Sequence, residues 1–182
     1  MPENNSKTYI IFLDLPKDTE QAIDVIRKKY SPNSFKKWKA HFTLKYDEDF
    51  ANEPRLIKLV GDFCSKLKPV ELELGKIKTN RNKGWNIYIE VIREPELIRT
   101  IHKLAKTISP LTNHWELSRK FYPHISLKGG LDPAEADRFL KKFSQEKLIY
   151  PNKIRCRSIT LARWENDYWR KVKTFKLRNK NE

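Results

Sequence analysis

Cysteine is scarce in this chain: its 182 residues include two, Cys64 and Cys156. They lie far apart and have no partner at metal-ligand spacing. Two such thiols make neither a disulfide framework nor a metal-binding pattern, and a reducing compartment suits them. Long apolar runs are also missing. No segment approaches membrane-spanning length. The run Tyr9 to Leu13 is too short for a signal peptide and reads as a strand. Acidic residues are in deficit, 23 against 38 Lys and Arg, for a formal net charge of +15. A field of that sign favours polyanions such as RNA, DNA, nucleotides or an acidic membrane. The plainer reading of the same lysines is a solvated surface. Together these shortages predict a soluble, cytoplasmic protein with no membrane association.

Hydrophobic periodicity divides the chain into short elements. Residues 8–14 read as a strand and 18–30 as a helix, with Asp18 as its cap and Ala22, Val25 and Ile26 as its apolar stripe. A strand covers 39–46. A helix over 53–67 carries Leu56, Leu59, Val60, Phe63 and Leu67 and stops at Pro69. Strands follow at 70–79 and 85–92, joined by the turn-like stretch Asn80 to Gly84. A helix over 96–109 turns Leu97, Ile101, Leu104, Ala105 and Ile108 inward. A strand at 121–128 leads to a helix that Asp132 and Pro133 open and that ends near 147. Strands at 153–163 and 168–177 complete the pattern. Strand, helix, strand, helix, strand thus runs over 8–79 and again over 85–163, with 168–177 as a closing strand. This predicts one α+β domain over 1–182. Two pseudo-symmetric lobes, each an antiparallel sheet with helices on its outer face, would flank a central cleft.

A short phrase recurs at the same place in each unit. Residues 41–44 read HFTL and 124–127 read HISL. Strand side chains alternate with period 2, so His41 and Thr43 share a face, as do His124 and Ser126. Phe42, Leu44, Ile125 and Leu127 point the other way. If the lobes face each other, two imidazoles and two hydroxyls meet across the cleft, where they could hold one phosphoryl group. Histidine can remove or supply a proton near neutral pH. The hydroxyls, about 7 Å along the strand from each histidine, would donate to non-bridging phosphate oxygens. Lys45 and Lys128 extend the same faces by two more positions and would neutralise charge at the rim. Arg163, and more weakly Arg119, are cations of the same kind. Tyr122, Trp85, Trp164, Tyr168 and Trp169 offer stacking faces for a base. His102 and His114 lie outside the motifs and read as structural or solvated. No third ligand completes a zinc site, so neither a metal nor another cofactor is expected.

The paired motifs resemble those of the 2H phosphoesterases, a superfamily named for two H-x-T/S motifs. The chain is most similar to the branch of RNA 2′,3′-cyclic phosphodiesterases, historically called 2′-5′ RNA ligases. YIIFLDLP at 9–16, HFTLKY at 41–46, YPHISLKGG at 122–130 and the closing ITLARWENDYWRKVKTFKL at 159–177 carry the likeness. Ser126 stands where threonine is common, and the residues after each motif depart from the usual pattern. The resemblance implies His41 and His124 as the acid–base pair, His41 leaning to acid and His124 to base, and favours Tyr168 as the base-stacking residue. It also implies hydrolysis of RNA 2′,3′-cyclic phosphate ends to 2′-phosphates; nothing in the sequence demands an oligomer, so a monomer with no obligate protein partner is expected. Two alternatives remain open. One is the same chemistry on 2′-5′-linked oligoadenylate or another nucleotide diester. The other is a non-catalytic RNA-binding module.

Overall fold

A computed structural model describes residues 7–50, 52–81, 85–111, 122–146 and 150–178. In chain order the elements are β1 (Lys7–Asp14), α1 (Lys17–Tyr30), α2 (Pro32–Lys37), β2 (His41–Phe50), α3 (Glu53–Cys64), β3 (Val70–Arg81), β4 (Trp85–Val91), α4 (Pro95–Ile108), β5 (His124–Leu131), α5 (Pro133–Gln145), β6 (Lys153–Cys156), β7 (Ser158–Glu165) and β8 (Tyr168–Lys176). The strands form two antiparallel four-stranded sheets, ordered β2-β1-β7-β8 and β5-β4-β3-β6. The fold is α+β, as the sequence predicts.

The sheets do not coincide with the two halves of the chain. β3, from the first repeat unit, joins the second sheet, and β7, from the second unit, joins the first. The strand expected over 153–163 is therefore two strands that break at Arg157. β6 pairs with β3, whereas β7 pairs with β1. Side-chain parity explains the break. Ile154 and Cys156 are buried at even positions, Ile159 and Leu161 at odd ones. A single uninterrupted strand cannot turn both sets to one face.

One core serves both sheets. Tyr9, Ile11 and Leu13 of β1 join Phe42, Leu44, Ile87, Ile89, Ile125 and Leu127, all from strands, beneath the helices. α1 packs on β5, α4 on β2, α5 on β3 and β4, and α3 on α4 and β8. Each motif strand is thus covered by a helix from the other half. The opposite face of β1 carries Ile10 and Phe12, which pack with Ala162, Trp38 and Trp169.

Two local expectations change. Val25 is 69% exposed while Ile23 is fully buried. The buried face of α1 is Thr19, Ile23, Asp24, Ile26 and Arg27, because an acid–base pair takes up part of the inward stripe. Asp18 does not cap α1; its Oδ1 accepts from the Thr19 N–H inside the first turn, and Pro16 holds the capping position. Asp132 does cap α5, and Glu135 completes a reciprocal capping box. The stretch around 82–84 falls outside the described residues.

The core face of the motif strand is open to test. Phe42 is fully buried, so Phe42→Ala is expected to cost about 3–5 kcal/mol in chemical denaturation. A loss below about 1 kcal/mol would contradict this packing.

Candidate active site

β2 and β5 are edge strands of the two sheets, and they lie beside each other. Each begins at its motif histidine. His41 Nδ1 is 2.7 Å from the Lys39 carbonyl, and His124 Nδ1 is 2.7 Å from the Tyr122 carbonyl. A carbonyl only accepts, so Nδ1 carries hydrogen in both rings and Nε2 is the nitrogen left for chemistry. The neighbouring strand supports each ring in the same way. Phe12 lies opposite Thr43 and touches His41, with ring centroids 4.7 Å apart. Tyr88 lies opposite Ser126 and touches His124 at 5.4 Å. Asp14 lies opposite His41, and Glu90 opposite His124. Thr43 is half-buried and Ser126 exposed on these faces. The repeat seen in the sequence is therefore a repeat in space.

A β-bulge in each motif strand moves the lysines. Ile11 lies opposite Lys45 but Phe12 opposite Thr43, so the register slips at Leu44. Ile87 lies opposite Lys128 but Tyr88 opposite Ser126, so it slips again at Leu127. A bulge places two residues against one and shifts every later side chain. Lys45 and Lys128 consequently align with core-facing isoleucines and do not extend the histidine faces as expected. Lys128 Nζ donates to the Tyr30 carbonyl at 2.7 Å and sits 4.7 Å above the Phe139 ring, so it ties α1 to the second sheet. After the slip Tyr46, opposite Ile10, returns to the histidine face. Its ring meets Trp169 at 6.0 Å. Of the glycines after Lys128, the second meets a backbone need and the first a crowded neighbour. A Cβ on Gly129 would sit 2.5 Å from Asn86 Oδ1, and Gly130 has φ +72°.

Arg163 also leaves the substrate set. It lies opposite Tyr9, on the core-facing side of β1 and β7. Glu53 pairs with it at 2.6 Å, Glu165 pairs with it too, and Arg170 joins Glu165 at 3.1 Å. Tyr9 donates to Glu53 at 2.7 Å, and burial pushes its phenol up to about 12. Arg163 therefore anchors α3 to the first sheet. Tyr122 contributes its backbone carbonyl to His124, and its side chain is 55% exposed. Tyr168 follows a turn in which Asn166 and Asp167 both take positive φ, the hairpin geometry that suits those residue types. It lines a groove beside Trp169. Trp164 packs on Trp169, with centroids 5.1 Å apart. His102 is exposed on α4. Arg119 and His114 fall outside the described residues.

The sequence reading missed a buried ion pair beside His41. Arg27 is 5% exposed and pairs with Asp24 at 2.6 Å. Asp24 also accepts the Ala40 N–H at 2.9 Å, immediately before the motif. This buried pair fixes the start of β2 and leaves a guanidinium near His41. The His41 imidazole is drawn down to about 4, first by burial, with Arg27 and His124 adding repulsion against a bound proton. Among the described residues, no three His, Cys, Asp or Glu groups gather at metal-binding distance.

A model of the 2′-5′ RNA ligase superfamily matches residues 15–168. The chain belongs to this superfamily, the 2H phosphoesterases. Solved structures share the fold. LigT of E. coli in complex with 3′-AMP aligns over 96% of this chain and 100% of its own, at TM-score 0.66 and 17% identity. A Thermus thermophilus protein aligns over 95% of this chain and 99% of its own, at TM-score 0.66 and 17% identity. Usb1 of Kluyveromyces marxianus aligns over 93% and 98%, at 0.51 and 14%. No curated protein matches the sequence. No helix among the described residues is long and apolar enough to cross a membrane.

Two measurements follow from this 2H phosphoesterase site. A folded-state pKa near 4 against an unfolded value near 6.5 means that the unfolded chain binds the His41 proton first. Stability is therefore complete above about pH 6.5 and falls as pH drops toward 4, by up to about 3 kcal/mol from this group. His41→Gln should flatten that part of the stability–pH curve; an unchanged slope contradicts the assignment. Arg27→Gln removes a repelling charge and leaves Asp24 without its partner. NMR titration should then show the His41 pKa rising, and a pKa that stays or falls contradicts the contribution of Arg27.

Proposed function

We propose that this 2H phosphoesterase hydrolyses RNA 2′,3′-cyclic phosphate ends to 2′-phosphates, as a cytoplasmic monomer using its two histidines without a metal. The observation that carries this reading is the matched pair of imidazoles. Both are oriented through Nδ1 by a carbonyl two residues upstream, and each has a hydroxyl two residues downstream. Binding a phosphate requires no such duplicated acid–base device. The +15 charge suits a substrate with several phosphates.

In this mechanism water attacks phosphorus in line with the 3′ oxygen. His41, held neutral by burial and Arg27, takes the water proton at Nε2. His124 gives its Nε2 proton to the departing 3′ oxygen. The P–O3′ bond breaks as the new P–O bond forms, and the phosphate stays on the 2′ oxygen. Thr43 and Ser126 donate to the non-bridging oxygens, where negative charge grows. His41 is then the base and His124 the acid, the reverse of the order that the family resemblance suggests. The exchange rests on charge state: the depressed pKa leaves His41 unprotonated near neutral pH, as a base must be, at a cost in basicity.

His41→Ala and His124→Ala should each lower kcat by about 10²–10⁴-fold on a cyclic-ended oligonucleotide. RNA affinity should persist in both, and a chelator should leave the wild-type rate unchanged. Lost affinity with no wild-type turnover would instead support a binding module.

A further inference from the structure

The face that carries His41 continues into a groove of about 650 Å³ on the first sheet, lined by Asp14, Trp38, Lys39, Tyr168, Trp169 and Lys171 among others. That volume is of the size that holds a small organic ligand. Its position follows from strand order. β2, which begins at His41, lies beside β5, and β1, β7 and β8 lead away from it. A nucleoside whose phosphate lies between the imidazoles can extend its base over this sheet. The aromatic surface along the way is connected. Trp38 packs on Phe12 at 5.7 Å, and Phe12 on His41. Tyr46 and Trp164 both pack on Trp169.

The groove holds a carboxylate, Asp14, among lysines that outnumber its acids. Asp14, opposite His41, is held by the hydroxyls of Ser158 at 2.7 Å and Thr160 at 2.9 and 3.0 Å. Thr160 also meets the Thr174 hydroxyl at 2.8 Å. A carboxylate offers about four lone-pair sites, and these two hydroxyls bring one hydrogen each. Acceptor capacity is therefore left over. Lys39 and Lys171 act on Asp14 only at a distance, and Lys39 pairs with Glu20 at 3.0 Å. The equivalent acid of the other half differs. Glu90, opposite His124, is matched by Lys78 at 2.6 Å. The two carboxylates hold the same place in the repeat, but only Asp14 lines the groove with acceptors to spare.

We propose that this groove is a nucleobase subsite in which Asp14 accepts hydrogen bonds from the base of the reacting nucleotide. Trp38, Tyr168 and Trp169 supply its aromatic walls. The subsite favours bases with an exocyclic amino group, adenine, cytosine and guanine, over uracil, whose ring N–H is flanked by two carbonyl oxygens that a carboxylate repels. Lys39 and Lys171 border it with positive charge for the adjoining backbone. This inference rests on the nucleotide phosphodiesterase reading above and adds which base that site selects.

The test compares dinucleotides that differ only in the base of the cyclic-phosphate end, using wild-type protein and Asp14→Asn. Wild type should turn over amino-bearing ends with kcat/KM about tenfold above the uracil end, the scale of a well-made base contact. Asp14→Asn keeps shape and offers both a donor and an acceptor, so the ratio should fall below about threefold. A ratio cannot be lowered merely by losing some folded protein. Equal ratios in the two proteins, or a wild-type preference for uracil, overturn the subsite. A parallel titration with 3′-AMP and 3′-UMP, followed by tryptophan fluorescence, separates the two readings. If no dinucleotide is cleaved but 3′-AMP binds about tenfold tighter in wild type only, the hydrolase reading fails and the subsite stands. If all are cleaved with no base preference, the reverse holds.

Discussion

The structure depends on strand alternation maintained for three residues and then broken. In His41-Phe42-Thr43 and in His124-Ile125-Ser126 the middle residue enters the shared core, while the outer two face away from it. Burial of Phe42 and Ile125 fixes the direction of both neighbours, because a slip of one residue would bring imidazole and hydroxyl into the core. The bulge at Leu44 or Leu127 then interrupts the face. Leucine stays in the core and the following lysine is carried off the histidine side. The chemistry is thereby limited to two groups per strand, repeated twice. Hydrophobic burial supplies the force that aims it.

The two halves are alike in backbone and unlike in electrostatics. Both rings take the same carbonyl bond, and both rest on an aromatic residue from the next strand. The difference lies beneath them. On the His41 side the Arg27 guanidinium, buried in its pair with Asp24, adds to the repulsion of a proton on the ring, and Asp14 is held by hydroxyls. On the His124 side Glu90 is paired with Lys78. A symmetric scaffold thus carries an asymmetric field, which an acid–base pair with opposite tasks requires. The crossing of β3 and β7 between sheets joins the halves, so neither sheet is built from one half alone.

Much of this was legible in the sequence. The two motifs, their strands and the repeated order of elements stand out because alternation and apolar periodicity are local. The family follows from the same motifs. The position of Lys45 and Lys128 was not legible, since a bulge is defined by the partner strand and leaves no mark in HFTLK or HISLK. Nothing in the sequence marks Asp24 and Arg27 apart from the other charges of their helix; packing alone buries them. Arg163 looked like a free cation because Glu53, its partner, lies 110 positions away. The break at Arg157 did leave a trace, the change from even to odd apolar positions.

The account is tested most directly by following phosphorus NMR of an oligonucleotide with a 2′,3′-cyclic end, incubated with protein freed of metal. The cyclic signal should give way to a 2′-monophosphate alone, as expected when water displaces the 3′ oxygen between the two imidazoles. A 3′-monophosphate, or a cyclic signal that persists, would contradict it.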